Sequence, residues 1–192
     1  ISTSGDSLLE KFLLINRTIR KKNVDFVLGV PAGTENKKLW DGNFLRMQGA
    51  AKRAGFADRR TYKYNGKIID NAVHLGIDLA STSRAPILAA NTGHVLLAQP
   101  VGIFGNTVII DHGFGVCSLY SHLSRFAVAE GQMVKRGEEI GSSGLTGLAG
   151  GDHLHFSMII HNVFVNPVEW WDDTWIKNNI TSKIESVKAQ IQ

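Results

Sequence analysis

The sequence predicts a mainly β, antiparallel domain with a helix at either end. Three observations carry that prediction. Twenty glycines stand against four prolines in 192 residues, a balance suited to many tight turns. Between Pro86 and Ile140, short apolar runs at 87–90, 93–98, 107–110, 116–120 and 133–134 alternate with turn residues such as Gly105-Asn106, Gly113, Glu130-Gly131 and Arg136-Gly137, the rhythm of an all-β domain. Beyond Gly151 there is no further glycine, and Ile176, Ile180, Ile184, Val187 and Ile191 recur at helical spacing. Hydrophobic content of 43% and charged content of 20% are those of a globular chain, so wholesale disorder is excluded.

At the N-terminus, residues 1–23 read as a helix. Ser7 and Glu10 form a capping box, Leu8, Phe12, Ile15 and Ile19 share one face, and Arg17, Arg20, Lys21 and Lys22 gather toward the C-terminal end. No aromatic residue interleaves that basic run, so it reads as a solvated helix end and not as a nucleic-acid patch. Residues 24–30 read as a strand, Pro31-Ala32-Gly33 as a turn, and 44–54 as a short helix ended near Gly55. A segment of this size either packs on the domain or lies across its site. The runs 61–64 and 67–69 flank Asn65-Gly66, a dipeptide whose tolerance of positive φ suits a type I′ hairpin. Trp170, Trp171 and Trp175 read as packing aromatics that anchor the last helix.

The chemistry concentrates in the histidines. Leu154, Phe156, Met158 and Ile160 alternate with His153, His155 and Ser157, so both imidazoles project from one face of a strand, their Cα atoms roughly 6.5–7 Å apart at the usual rise. Upstream, His74 and Asp78 share one side of either a strand or a helix, and Gly76 with its β-branched neighbours favours extended chain. An imidazole and a carboxylate on one face make an incomplete metal site. His122 closes the run Leu119-Tyr120-Ser121 at the end of a strand. His94 and His161 read as surface or structural, and His112, next to Asp111, reads as structural ahead of a supporting role at a site. The 131–141 turns resemble those of lipoyl- and biotinyl-carrier domains, but Lys135 lies inside the turn pattern and not at a hairpin tip.

Cys117 is the only cysteine and lies in an apolar run, so the chain forms no internal disulfide and its redox compartment stays open. The chain starts at Ile1, with neither a signal-peptide pattern nor an apolar run long enough to span a membrane. We expect a piece of a longer protein, with any membrane anchor outside this chain. The formal net charge of +4 favours anionic surroundings without choosing among them.

In order, His74-x-x-x-Asp78, Tyr120-x-His122-Leu123 and His153-x-His155, with the Gly144-x-Thr146-Gly147 loop and Val165-Asn166-Pro167, resemble the lysostaphin/LytM-type zinc endopeptidases of bacterial peptidoglycan. The resemblance covers about residues 70–168. It implies the antiparallel β-sheet, barrel-sandwich catalytic fold of that family, Zn²⁺ held by His74, Asp78 and His155, and His122 and His153 as the catalytic pair. It further implies hydrolysis of peptide cross-links by a metal-activated water, export to the periplasm or cell envelope, and the division 1–60 (N-terminal helical and irregular segment), 61–170 (zinc peptidase β domain) and 171–192 (C-terminal helix). Where many members have proline before the His-x-His, this chain has Asp152. The competing reading within the fold is a non-catalytic domain that binds peptidoglycan or activates another hydrolase.

Overall fold

A computed structural model describes residues 7–191; the expected helix over 1–23 therefore lies partly outside them. The helix begins at the capping box. Ser7 Oγ accepts the Glu10 N–H at 3.2 Å, and the Glu10 carboxylate accepts the Ser7 N–H at 3.0 Å. Helix α1 (Leu8–Leu13) widens into a π-helical stretch (Leu14–Ile19), narrows again as α2 (Arg20–Gly29) and closes in a 3₁₀ turn (Val30–Gly33).

Two expectations are corrected in this region. Residues 24–30 are helix, not strand: Val24, Val27 and Leu28 follow i, i+3, i+4 spacing and pack in a cluster with Leu97, Ile103 and Phe104, and that burial outweighs the β-propensity of the valines. Residues 44–54 are a loop leading into a strand, not a helix. Phe44 is buried against Trp170 and His112, while the Phe44 and Leu45 N–H groups donate to the Trp170 and Ala90 carbonyls. The chain then runs as β1 (Ala51–Ala54) along an edge strand of the main sheet.

Strands β2 (Arg59–Tyr64) and β3 (Lys67–Val73) form the expected hairpin, with Asn65 and Gly66 at φ 48° and 76°. The main sheet uses β4 (Ile77–Ala80), β6 (Gly93–Val101), β7 (Gly105–Asp111), β8 (Val116–Leu123), β10 (Met133–Val134) and β12 (Leu154–Ile160). Its order is β1-β4-β12-β8-β7-β6-β10, with β13 (Val163–Val165) also paired to β12. A second sheet, β5-β11-β9, is built from β5 (Pro86–Leu88), β9 (Arg125–Phe126) and β11 (Glu139–Ser142). All the pairings are antiparallel.

The period of two along the central strands produces two cores. Val108, Ile110, Tyr120, Phe156 and Met158 join the cluster that includes Trp40, Ile87 and Trp170. Ile109, Cys117, Leu119 and Ile159, on the opposite face, pack with Val27 and with Ile15 and Ile19 of the N-terminal helix. Cys117 is fully buried there, and burial, then Asp111, pushes its thiol up, so it is an inert core thiol. Helices α3 (Pro167–Trp170), α4 (Asp173–Ile176) and α5 (Ser182–Ile191) close the chain. The Trp170 and Trp175 rings meet at 52° with centroids 5.9 Å apart, and Trp171 packs on Phe156. The apolar stripe is buried at Ile176 and exposed by Ile191. Among the described residues no helix is long and apolar enough to cross a membrane.

His112 is structural. Its Nδ1–H donates to the Thr92 carbonyl at 2.7 Å, and its Nε2 meets the Ser118 hydroxyl, itself 2.9 Å from Tyr120 Oη. Complete burial lowers its pKa to about 4. The unfolded chain takes up that proton near pH 6.5 and the folded chain only near 4, so the contribution is whole above pH 6.5 and shrinks as the pH falls to 4. We expect about 3 kcal/mol to be lost across this window. Urea midpoints against pH, with His112→Gln flattening the slope, measure it.

Candidate metal centre

Strand register brings the first two groups together. On β12, His155 lies opposite Asp78 of β4 on one side and Ser121 of β8 on the other. Ile77 and Leu79 point into the core cluster, so Asp78 faces the other way, on the face of His155. His74 precedes β4, its backbone N–H and C=O both tied to the 57–58 turn. His74 Nε2, Asp78 Oδ1 and His155 Nδ1 form a triangle with edges of 2.9, 2.9 and 3.0 Å, the one group of its kind among the described residues.

His122 reaches the site by breaking the strand's alternation. After Ser121, a regular residue would turn into the opposite core, but His122 adopts φ 64°. A left-handed conformation is costly for a side chain of this size, on the order of 1–3 kcal/mol, and collects at functional sites. Its ring lies 4.8 Å from that of His153 and 5.9 Å from that of His155. His153 is held by a backbone bridge to Gly144, and its Nε2 is 3.6 Å from Asp78 Oδ1.

The carbonyls around the site set the tautomers. The Nδ1–H groups of His74, His122 and His153 donate to the carbonyl oxygens of Gly55 (2.7 Å), Thr146 (2.8 Å) and Gly151 (2.7 Å). A carbonyl can only accept, so each neutral ring presents an Nε2 lone pair to the site. His155 is turned the other way: Nε2 meets Ser157 Oγ at 3.1 Å and Nδ1 faces the triangle. Three atoms with lone pairs thus converge within 3.0 Å, an arrangement that a shared proton or a cation between them reconciles. Two imidazoles and a carboxylate fit zinc, and three protein ligands leave a fourth position open.

Electrostatics follow the same logic. Burial pushes the Asp78 carboxyl up, but His153, His155 and His74 around it outweigh that effect and hold the group well below the usual carboxylate range. Arg60 Nη2 donates to Asp78 Oδ2 at 3.2 Å, so one oxygen faces the arginine and the other the triangle. Burial lowers His155, and it takes His122 down to about 3. At His153 burial also lowers, yet the Asp78 carboxylate outweighs it and the net shift is upward.

Residues 72–167 match the sequence profile of Peptidase family M23. The chain belongs to this family. A relative, peptidoglycan DD-endopeptidase ShyB of Vibrio cholerae, is 33% identical over 109 residues, 57% of this chain and 25% of the relative. A zinc containing peptidase from Vibrio cholerae superposes with a TM-score of 0.59 at 28% identity, over 67% of this chain and 40% of that one. The catalytic domain of the antimicrobial peptidase lysostaphin from Staphylococcus simulans superposes at 0.51 and 28% identity, over 62% of this chain and 90% of that domain. The chain spans about a quarter of the length of the endopeptidase ShyB. The fold is thus the lysostaphin type that the sequence predicts, with helices at both ends.

In this M23 chain a cleft of about 380 Å³ opens over the histidines. One wall comes from the N-terminal helix and the hairpin, through Phe12, Arg20, Arg60 and Tyr62, and another from Phe104 and Leu148. Asp152 is half-exposed and hydrogen-bonds none of the site histidines. It accepts hydrogen bonds from the Ser143 and Ser83 hydroxyls and the Arg84 N–H, fastening the loop before β12. Sequence reasoning missed Arg60 and the three carbonyls; the carbonyls have no residue signature, because any side chain carries one.

Gly76 allows the close approach of His155. A Cβ at that position would lie 2.5 Å from the Phe156 carbonyl oxygen and 2.7 Å from His155 Nε2. Gly76→Ala is expected to displace the ring and weaken zinc binding by about 10–100-fold, as disturbances of ligand orientation do. Competition against a chromophoric chelator would measure this, with far-UV circular dichroism as the check on folding.

Proposed function

We propose that the protein is a zinc endopeptidase that hydrolyses peptide cross-links of bacterial peptidoglycan, in the periplasm or cell envelope, with 61–170 as its peptidase domain, 1–60 as an N-terminal addition and 171–192 as a C-terminal helix. The observation that carries the reading is the convergence of lone pairs from His74, Asp78 and His155, with the Nε2 atoms of His122 and His153 beside them. In this reading His74, Asp78 and His155 hold the metal. Zinc bound there supplies a Lewis acid for the scissile carbonyl and lowers the pKa of a water toward about 7.

The chain's own residues do the rest. His122, kept neutral by burial, accepts the attacking water's proton at Nε2 while its Nδ1–H stays anchored on Thr146. His153, whose pKa is shifted upward, offers an Nε2–H to the substrate oxygen or to the departing amine. Environments that push two like groups apart in pKa are suited to acid and base roles.

The test is digestion of purified cross-linked peptidoglycan by the zinc-loaded chain, with released peptides weighed by mass spectrometry and His155→Ala as control. Fragments that fix a cut cross-link, absent with the variant, support the proposal. Intact wall with stoichiometric zinc would favour the non-catalytic reading.

A further inference from the structure

The cleft wall built by the N-terminal helix and the hairpin carries two cations. Arg60 donates to Asp78 and keeps a side chain 40% exposed. Arg20 is half-buried beside it, and its surroundings are more constrained. Its Nε–H donates to Asn16 Oδ1 at 3.0 Å, and the Asn16 amide donates in turn to Asp70 Oδ2 at 2.9 Å. Asn16 is only 4% exposed and sits in the π-helical stretch one turn before Arg20, the kind of bulge that often marks a functional position. The Asp70 carboxylate is already taken by Asn16 and by Arg17, whose Nη2 also donates to the Ile69 carbonyl.

The chain of contacts therefore fixes Arg20 through Nε alone. Among the described residues, its Nη1 and Nη2 have no hydrogen-bond partner, and no carboxylate lies within ion-pair distance of it. Burial lowers its pKa, with Arg60 adding to that effect, and the opposing pull of Tyr62 and Asp70 does not offset it. Both guanidinium groups line the cleft that holds His74, Asp78, His122, His153 and His155, and Phe12, Tyr62, Ile103 and Phe104 make the surrounding wall apolar. A guanidinium held at one nitrogen with its fork left open is built for a planar, bidentate anion.

We infer that Arg20, positioned by Asn16 and seconded by Arg60, is the receptor for a carboxylate of the substrate, which makes the substrate an acidic peptide bearing a free carboxylate near the bond that is cut. The inference rests on the peptidase reading above and narrows it. A peptide without carboxylates offers no partner to this wall, whereas a peptidoglycan stem peptide with free carboxyl groups does. The N-terminal helix thereby becomes part of the specificity apparatus.

The experiment measures affinity separately from turnover. A cross-linked stem-peptide dimer in its free-acid form, and the same dimer with its carboxyl groups amidated, are titrated calorimetrically into zinc-loaded protein carrying His122→Ala. The acid form should bind roughly 10–100-fold more tightly, the range for hydrogen bonds to a charged group. Adding Arg20→Gln should bring the ratio close to one by weakening the acid form alone, at unchanged zinc content and circular dichroism. Arg20→Lys should restore part of the preference, and Asn16→Leu should lose part of it. Equal affinities before Arg20→Gln, an undiminished ratio after it, or binding of neither peptide would overturn the inference. Turnover of the acid dimer by the otherwise unaltered protein reports on the peptidase reading: a charge preference without turnover sinks that reading and leaves the receptor, and turnover without a preference does the reverse.

Discussion

His122→Ala is expected to keep stoichiometric zinc and to lose turnover by about 10²–10⁴-fold, the usual contribution of a positioned acid or base. The split follows from geometry. His122 is absent from the triangle of close contacts, and its one hydrogen bond, from Nδ1 to Thr146, points away from that triangle. On the proposed roles, removing the ring takes away a proton acceptor without taking away a ligand. It also relieves the left-handed backbone at this position only if glycine is used. His122→Gly should accordingly be as inactive as the alanine variant yet more stable than it, by about 0.4–1 kcal/mol or more. Zinc content by elemental analysis, initial rates on a cross-linked muropeptide and urea midpoints would separate the two effects. Equal loss of zinc from the alanine variant and from His74→Ala would remove His122 from the proposed catalytic role.

Asp78→Asn is the second large effect, and it reverses the pattern. Structural zinc sites with four ligands are worth about 10–16 kcal/mol, or about 3–4 kcal/mol for each ligand, so replacing this carboxylate should weaken zinc binding by about 10²–10³-fold. Two further readouts distinguish a lost ligand from general damage. Saturating the unaltered protein at about 1,000 times Kd should stabilise it by about 4 kcal/mol, a rise of roughly 8–16 °C in Tm for a chain of this size, and at the same zinc concentration Asp78→Asn should cut the stabilisation to about 0.4–1.4 kcal/mol. The metal-free variant should melt no lower than the metal-free parent, because an amide that donates a hydrogen bond fits between His74 Nε2 and His155 Nδ1 better than a third acceptor does.

Much of this site is legible in sequence because strands convert spacing into facing. The alternation of 153–158 places His153 and His155 on the face opposite Leu154, Phe156 and Met158, and the structure keeps that division. The Asn65-Gly66 hairpin and the Ser7/Glu10 box are equally local and equally legible. What the sequence hides depends on partners far along the chain. Residues 51–54, Ala-Lys-Arg-Ala, carry no strand signature and become a strand because β4 offers an open edge. Alternation alone would send His122 into the core, and only its backbone angle brings it to the site. Arg20 looks like one more cation on a basic helix end until the π-helical stretch sets it above the cleft.

The carbonyls of Gly55, Thr146 and Gly151 have a consequence for how such a centre changes over time. Each fixes a proton on one side of an imidazole, yet none belongs to a side chain. Point substitution at those three positions leaves the oxygen where it was. The protonation pattern is thus written in the course of three loops, and insertions or deletions there, more than replacements, are the changes able to retune it.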